Sequence, residues 1–284
     1  MTITKVHHLN TASIQGISVL GQHLVCHVLL VETSDAGLVL VDTGIGSADY
    51  RDISARLGWD FAHLYARPLV DPSLAAIEQI RGLGLDPRDV RHIVQTHLDL
   101  DHVGGLSDFP EATVHVHATE LEAAKRREGI RAKRRYPPKM FAHHPRWQTY
   151  RHGGDEWYGF DAVRGLEGLG EDFLMVPLFG HTHGHCGIVV DAPNGTLLAA
   201  GDAYFDAREV KQPDRRCGPG PALFQLMVTT ERAARRDNQD RLRSLHADHP
   251  EIDMFSGHNP FEYLDLAERS GDGVRGVSAA HGRR

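Results

Sequence analysis

Histidine and aspartate residues recur at short spacings along this chain of 284 residues, in a pattern that suits metal binding. The densest group is the segment HLDLDH, which places His97, Asp99, Asp101 and His102 within six residues. Alternate side chains of an extended segment share a side. His97 and Asp99 can therefore face one metal ion while Asp101 and His102 turn toward a second.

Three further donors, His181, Asp202 and His258, each stand just after a predicted strand. Together with the HLDLDH segment they make seven nitrogen and oxygen donors with no thiolate. Two sites of three terminal ligands each, joined by one bridging carboxylate, would use all seven. Such sites keep open positions for water, which is typical of catalytic centres. Any one of these motifs could be a solvated surface turn without a metal. Four such motifs in succession along the chain are less readily explained in that way.

The elements that must position these donors are short strands and amphipathic helices. An apolar run, the turn Ser34-Asp35-Ala36-Gly37 and a second apolar run predict a hairpin. Strands are also predicted at 92–95, 114–116, 173–178, 188–190, 196–200 and 252–255, and helices at 73–83, 119–135 and 230–246. The aromatic stretch 140–160 is predicted to be an irregular segment covering a site. Strand ends meet along one edge, so distant donors can converge there.

The motifs as a set resemble the metallo-β-lactamase fold superfamily, whose members have a strand-borne Asp-Thr-Gly, an H-x-H-x-D-H loop, a Gly-His, a Gly-Asp and a final histidine. Here Asp42-Thr43-Gly44 begins the series and His258 ends it. The resemblance implies an α/β fold, a four-layer αββα sandwich with the metal site at one edge. It implies a single domain over 1–270, with about 120–170 as an insertion capping the site and 271–284 as a frayed tail.

The resemblance also implies a ligand set. The first site would use His97, Asp99 and His181, the second Asp101, His102 and His258, and Asp202 would bridge them. Asp42 would brace the site loops, since metal ligands commonly need such support. In the turn GHTHGH, His185 would support a ligand or cap a helix, and His183 would have no role.

Asp99 departs from the family, which has a histidine at this position. With two divalent metals, three carboxylates and a bridging hydroxide the cluster is neutral, where the usual set leaves one positive charge. A less positive cluster is a weaker Lewis acid. Two Zn²⁺ ions are the expected cofactors, with iron or manganese as alternatives. Flavodiiron proteins carry a carboxylate here, but nothing in the sequence resembles their electron-carrier domain.

The predicted function is a metal-dependent hydrolase, in which hydroxide held by two metal ions opens a small ester. A lactone similar to an acyl-homoserine lactone is the expected substrate. Asp101 would orient the nucleophile or pass a proton. Acyl-homoserine lactonases carry a tyrosine three residues after the bridging aspartate, whereas Tyr204 follows Asp202 by two. Tyr204 is therefore a candidate to hold the substrate carbonyl, although it could equally pack under a loop.

Two other functions remain open on the sequence. A thioester hydrolase of the glyoxalase II type would need a basic site for its glutathione tail, and none is clear. A diiron oxidoreductase or oxygen-handling protein is suggested by Asp99. The aromatic residues of the insertion would either line an apolar substrate wall or pack the insertion onto the sandwich. These residues are Trp147, Tyr150, Trp157, Tyr158 and Phe160.

The composition narrows the partners. The formal net charge of -7 argues against nucleic acid, and the basic runs at 125–127 and 131–135 are interpreted as a solvated face. No stretch is long and apolar enough to span a membrane. No secretory signal is evident, and the three cysteines are too few for a disulfide framework. Cys217 is interpreted as an inert loop thiol, and Cys26 and Cys186 as buried. We therefore expect a cytoplasmic enzyme acting on a small-molecule ester, and the resemblance allows a homodimer.

Overall fold

The apolar strands form a six-stranded sheet in the computed structural model, which describes residues 1–16, 23–151, 153–161 and 165–277. In spatial order the strands are β1 (Ile3–Ile14), β2 (Leu24–Thr33), β3 (Leu38–Val41), β4 (Val90–Val94), β5 (Thr113–His117) and β6 (Arg146–Tyr150). The pairs β1–β2 and β2–β3 are antiparallel, as strands joined by a hairpin can be. The pairs from β3 to β6 are parallel.

A second sheet of four strands faces the first. After a two-stranded ribbon of β7 (Glu156–Trp157) and β8 (Phe160–Asp161), the chain enters β9 (Phe173–Pro177), β10 (Cys186–Ala192), β11 (Gly195–Ala199) and β12 (Asp253–Phe255). Their spatial order is β12-β11-β10-β9, with β12 parallel to β11 and the other pairs antiparallel. The carboxyl ends of β11 and β12 therefore open at the same edge.

Nine α-helices are present in the described residues, and most flank the sheets. They are α1 (Ser47–Arg51), α2 (Ile53–Leu57), α3 (Ala76–Gly82), α4 (Leu100–Val103), α5 (Ala118–Arg126), α6 (Gly129–Arg135), α7 (Pro219–Val228), α8 (Arg232–Asp248) and α9 (Pro260–Ser270). In the part of the chain that the structure covers, no helix has the length and apolar character needed to cross a membrane.

The strand residues alternate between two cores. Val39 and Val41 of β3 face Met175 and Ile188 of the second sheet, whereas Leu40 faces the helical side. The outer face of the second sheet packs against α8 in a third cluster. This alternation is what the period of a β-strand requires when both faces are covered. The predicted four-layer αββα sandwich is confirmed.

Two predictions about local structure are wrong. The helix predicted over 119–135 is two helices, because Arg127 and Gly129 adopt positive φ angles of 49° and 79° between α5 and α6. Such a conformation ends a helix, and glycine adopts it readily. The stretch 140–160 is not wholly irregular, since β6 lies within it and extends the first sheet through register with β5.

The start of the C-terminal tail is held in place. The Asp272 carboxylate hydrogen-bonds to Nδ1 of His7 and accepts from the backbone N–H of His8. The Gly276 carbonyl accepts a hydrogen bond from the Ser13 hydroxyl. Residues 271–277 of the tail predicted to be frayed thus contact β1. The remainder of that tail, 278–284, lies outside the described residues.

Candidate metal centre

The predicted donors converge at the edge of the sandwich, where several strands end. The HLDLDH segment follows β4, His181 follows β9, Asp202 follows β11 and His258 follows β12. Gly201 precedes Asp202 with a φ of 52°, and a Cβ there would lie 2.7 Å from His185 and 3.0 Å from Thr96. Glycine therefore allows the Asp202 loop to turn tightly against its neighbours.

Asp202 lies between two pairs of histidines. Its Oδ2 atom is 3.3 Å from His181 Nε2 and 3.8 Å from His97 Nε2. Its Oδ1 atom is 3.1 Å from His258 Nε2 and 3.3 Å from His102 Nε2. Each oxygen of one carboxylate thus faces a different histidine pair, which is the arrangement that a bridging ligand needs.

The remaining two carboxylates complete the two groups. Asp99 Oδ2 is 3.0 Å from His181 Nε2 and 3.7 Å from His97 Nε2. Asp101 Oδ2 is 3.6 Å from His258 Nε2. The ligand atoms of His97, His181 and Asp202 lie within 4.8 Å of one another, as do those of His102, Asp202 and His258.

These residues fit a pair of divalent ions. His97 Nε2 is buried without a hydrogen-bond partner, and so is Asp202 Oδ1. A buried polar atom without a partner is costly unless something binds it. Neutral imidazoles and carboxylates without thiolate form a donor set suited to Zn²⁺, and also to Fe²⁺ or Mn²⁺. The Cys26 thiol, correctly predicted to be buried, lies beside Asp101 and His258.

Hydrogen bonds behind the ligands fix the ring orientations. Asp42 Oδ2 accepts from His102 Nδ1 at 2.8 Å, and the same carboxylate accepts from the N–H and hydroxyl of Thr96. His258 Nδ1 donates to the Val25 carbonyl at 2.8 Å. Both rings therefore point Nε2 into the shared site, where the two Nε2 atoms lie 3.3 Å apart and can face a metal. Asp42 occupies the bracing role that the resemblance implied.

The turn GHTHGH is arranged as the sequence suggests. His185 Nε2 accepts from the backbone N–H of Asp202 at 2.9 Å, while its Nδ1 donates to the Leu178 carbonyl. It therefore supports the bridging residue. His183 is half-exposed at the cavity edge and pairs with Glu231 at 3.0 Å.

The local charges favour the ionised, metal-binding forms of Asp202 and Asp99, but not that of Asp101. Burial would raise the pKa of Asp202, but His258, His102 and His181 hold it well below its usual range. Burial would also raise the pKa of Asp99, yet Arg135 and His181 hold it below its ordinary value. Burial does raise the pKa of Asp101, because the neighbouring histidines offset it only partly.

Two supporting residues were not predicted from the sequence. Arg135 Nε lies 3.0 Å from Asp99 Oδ1, although its run was interpreted as a solvated face. Glu120 is fully buried and accepts from the N–H of Leu98 and the N–H of Gly184, each at 3.0 Å. No residue type or spacing in the sequence signals the role of Glu120, because it acts through backbone N–H groups.

Tyr204 does not reach the centre. Its ring belongs to the core beside α8, and its hydroxyl donates to Glu262 Oε1 at 3.0 Å. The suggestion that Tyr204 holds a substrate carbonyl is not supported by this placement. Phe205 lies three residues after Asp202, and its ring stacks on the ring of His258 at a centroid distance of 5.0 Å. The chain thus has no hydroxyl where the lactonase resemblance would place one.

A cavity of about 580 Å³ opens onto the donors. Asp99, Asp101, His181 and Asp202 line its floor, and its apolar wall consists of Leu57, Phe61, Tyr65, Leu100, Phe224 and Met227. None of the aromatic residues predicted for the wall from the 140–160 stretch lines this cavity; Trp157 and Phe160 pack in the core beside α8 instead. The alternative interpretation, packing onto the sandwich, fits these aromatics except Tyr158, which is half-exposed.

Comparison with known proteins agrees with the fold and supports the class of metallo-hydrolase. Residues 21–248 match the metallo-beta-lactamase superfamily, and the chain belongs to this family. A Mycobacterium tuberculosis protein named probable metallo-hydrolase Rv2300c is 40% identical over 260 residues, covering 91% of this chain and 81% of its own. The N-acyl homoserine lactonase AttM of Agrobacterium fabrum is 31% identical over 197 residues, covering 68% and 67%.

Solved structures show the same fold. A structure of an N-acyl homoserine lactone hydrolase with N-hexanoyl-L-homoserine at its metal centre superposes with a TM-score of 0.70 at 19% identity. It covers 93% of this chain and 97% of that one. The dizinc quorum-quenching lactonase AidC superposes with a TM-score of 0.53 at 16% identity, over 91% and 86% of the two chains.

Proposed function

We propose that this chain hydrolyses a small ester, a lactone in the first instance, at a dinuclear centre built from His97, Asp99, Asp101, His102, His181, Asp202 and His258. One observation carries the proposal: the two oxygens of Asp202 face two separate histidine pairs at the floor of an open cavity. A centre that opens into a cavity can admit both water and substrate. The lactonases among the relatives support the choice of a lactone.

The residues around the centre have distinct tasks. Divalent ions, when bound, would lower the pKa of water and polarise the ester carbonyl. Asp101, at the cavity floor beside His258, can orient the attacking water and hold its proton on a carboxylate oxygen. The apolar wall, with Phe224 and Met227, can bury the acyl part of the substrate and exclude bulk water.

The cavity edge favours a second candidate, an ester or thioester carrying an anionic group. Arg126, Arg131 and Arg134, here called the arginine rim, line the cavity between the apolar wall and solvent. The interpretation of this run as a solvated face missed that position. Two rim members have acidic neighbours, Glu128 at 4.0 Å and Asp60 at 3.5 Å. A carboxylate or phosphate on the substrate could compete for these exposed arginines.

Metal content is the first test. Elemental mass spectrometry of protein purified without added metal should give about two zinc ions per chain. Asp202→Ala should lose about one equivalent and most activity, whereas Asp191→Ala, an exposed aspartate of β10, should lose neither. Retention of both metals by Asp202→Ala would show that the bridge is misassigned. Iron in quantity would call for redox assays beside hydrolysis.

Substrate panels then separate the two candidates. Metal-replete protein should open lactones with short and long acyl chains, and failure across the whole panel would reject the lactone. If the arginine rim binds an anion, Arg131→Met should raise KM for carboxylated thioesters but not for neutral lactones. Lys125→Met, on α5 and outside the cavity lining, is the matched control. Raised salt should weaken only the anionic substrates.

A further inference from the structure

We propose that Arg135 is a positioning residue of the metal centre, which aims the Asp99 carboxylate at the first metal and offsets its charge. The Asp99–Arg135 pair would thereby take the place of the second histidine in the H-x-H-x-D-H motif that this chain resembles. This inference rests on the dinuclear centre proposed above and is independent of the substrate.

The two oxygens of Asp99 have different neighbours. Oδ2 faces the imidazoles, at 3.0 Å from His181 Nε2, whereas Oδ1 lies 3.0 Å from Arg135 Nε. Both side chains are largely buried, at 15% and 14% exposure. An ion pair in this setting is screened far less than one on the surface. The guanidinium therefore attracts the Oδ1 side of Asp99, while Oδ2 faces His97 and His181.

The other nitrogens of Arg135 are already engaged. Nη1 donates to the His181 carbonyl and to Thr230 Oγ1, each at 3.2 Å, and Nη2 donates to the Val228 carbonyl at 2.5 Å. These contacts tie the guanidinium to the loop that carries His181 and to the connection between α7 and α8. Arg135 therefore serves the centre more directly than it could serve a substrate.

The break between α5 and α6 allows Arg135 to reach Asp99. Arg127 and Gly129 turn the chain through positive φ angles, so that α6 runs in a new direction and ends at Arg135. The next residue, Tyr136, is anchored by its hydroxyl to Glu120. A continuous helix over the same residues would place Arg135 elsewhere.

The formal charges show how the Asp99–Arg135 pair affects the net charge of the metal centre. Two divalent ions with Asp101 and Asp202 and a histidine at position 99 would carry a net charge of two, before the bridging hydroxide is counted. An aspartate at that position lowers the charge to one, and the adjacent guanidinium returns it to two. The Lewis acidity of the centre depends on this balance. The weakening of the cluster that Asp99 alone predicts is therefore offset within the chain.

A double-mutant cycle on zinc affinity tests the inference. We would measure competition with a chromophoric zinc chelator for the wild type, Arg135→Met, Asp99→His and the double variant. Arg135→Met alone should lower the affinity of one site by about 10–100-fold, as loss of a group that orients a ligand does. Asp99→His alone should also weaken it, because Arg135 then stands unpaired beside the metal. The double variant should recover most of the loss.

Controls separate positioning from folding. Lys133→Met, an exposed residue of α6, should leave zinc affinity unchanged. Unfolding of each metal-free variant by urea reports whether it is folded. Should Arg135→Met fail to fold, Asp99→His alone still decides the point, because a wild-type zinc affinity in that variant would contradict the pairing. If Arg135→Met lowers zinc affinity equally in the wild type and in Asp99→His, Arg135 is merely structural. That result would overturn the proposal. A wild type that binds no zinc would instead refute the centre itself.

Discussion

The Glu120 carboxylate accepts the backbone N–H of Gly184 at 3.0 Å, and so joins α5 to the loop that carries His181. Its other oxygen accepts the N–H of Leu98, inside the HLDLDH segment. One buried side chain therefore holds two ligand-bearing loops at a fixed separation. The approach is close, because a Cβ on Gly184 would lie 2.2 Å from the backbone nitrogen of Glu120.

We expect Glu120→Gln to loosen both loops. An amide offers one acceptor oxygen, so its NH2 group would face an N–H donor, and a buried polar group would lose its partner. The free energy of unfolding should fall by about 1–3 kcal/mol, and zinc affinity should fall with it. Urea unfolding and chelator competition measure the two effects. Glu122→Gln, on the same helix but exposed, should change neither; a wild-type zinc affinity in Glu120→Gln would argue against this role.

Asp42→Asn should weaken zinc binding without disturbing the backbone. Asp42 has a φ of 59°, a conformation that asparagine tolerates. However, its carboxylate accepts from His102 Nδ1 and from both donors of Thr96, and an amide cannot satisfy all three. We expect zinc affinity to drop by about 10–100-fold, measured by chelator competition. Asp35→Asn, in an exposed hairpin turn, provides the comparison, and equal affinities in the two variants would contradict the bracing role.

Tyr204→Phe distinguishes a core residue from a catalytic one. The Tyr204 hydroxyl donates to Glu262, which also pairs with Lys211 at 2.5 Å. Its removal should cost about 1 kcal/mol of stability and leave KM and kcat for a lactone near their wild-type values. Thermal unfolding and steady-state kinetics measure both. A large loss of kcat/KM at unchanged stability would restore the role suggested by the spacing from Asp202.

The sequence predicted the fold, the candidate donors and the supporting residues Asp42 and His185, but not Arg135 or Glu120. Donors such as His181 and Asp202 lie in short loops directly after strands, so residue type and order suffice to place them. Arg135 instead contacts Asp99 only because α5 and α6 are separated by a turn, and its basic run has the pattern of a solvated helix. Glu120 acts through backbone groups, which leave no mark on residue types. Both roles depend on tertiary geometry.

The His7–Asp272 pair predicts a pH dependence of stability. Burial alone would lower the pKa of His7, but its hydrogen bonds to Asp272 and Glu32, at 2.7 and 2.9 Å, raise it above its ordinary value of 6.5. A group whose pKa rises on folding stabilises the fold fully below its unfolded pKa. That stabilisation is lost as the pH rises through the folded value.

His7→Gln should therefore destabilise the metal-free protein by about 1–3 kcal/mol at about pH 6 and by clearly less at about pH 9. Urea unfolding at the two pH values measures the difference. His249→Gln removes a surface pair with Glu251 and should stay within about 0.5 kcal/mol of the wild type at both. The destabilisation by His7→Gln could instead stay constant or grow with pH. That result would show that the charged form of His7 does not hold β1 to the C-terminal segment.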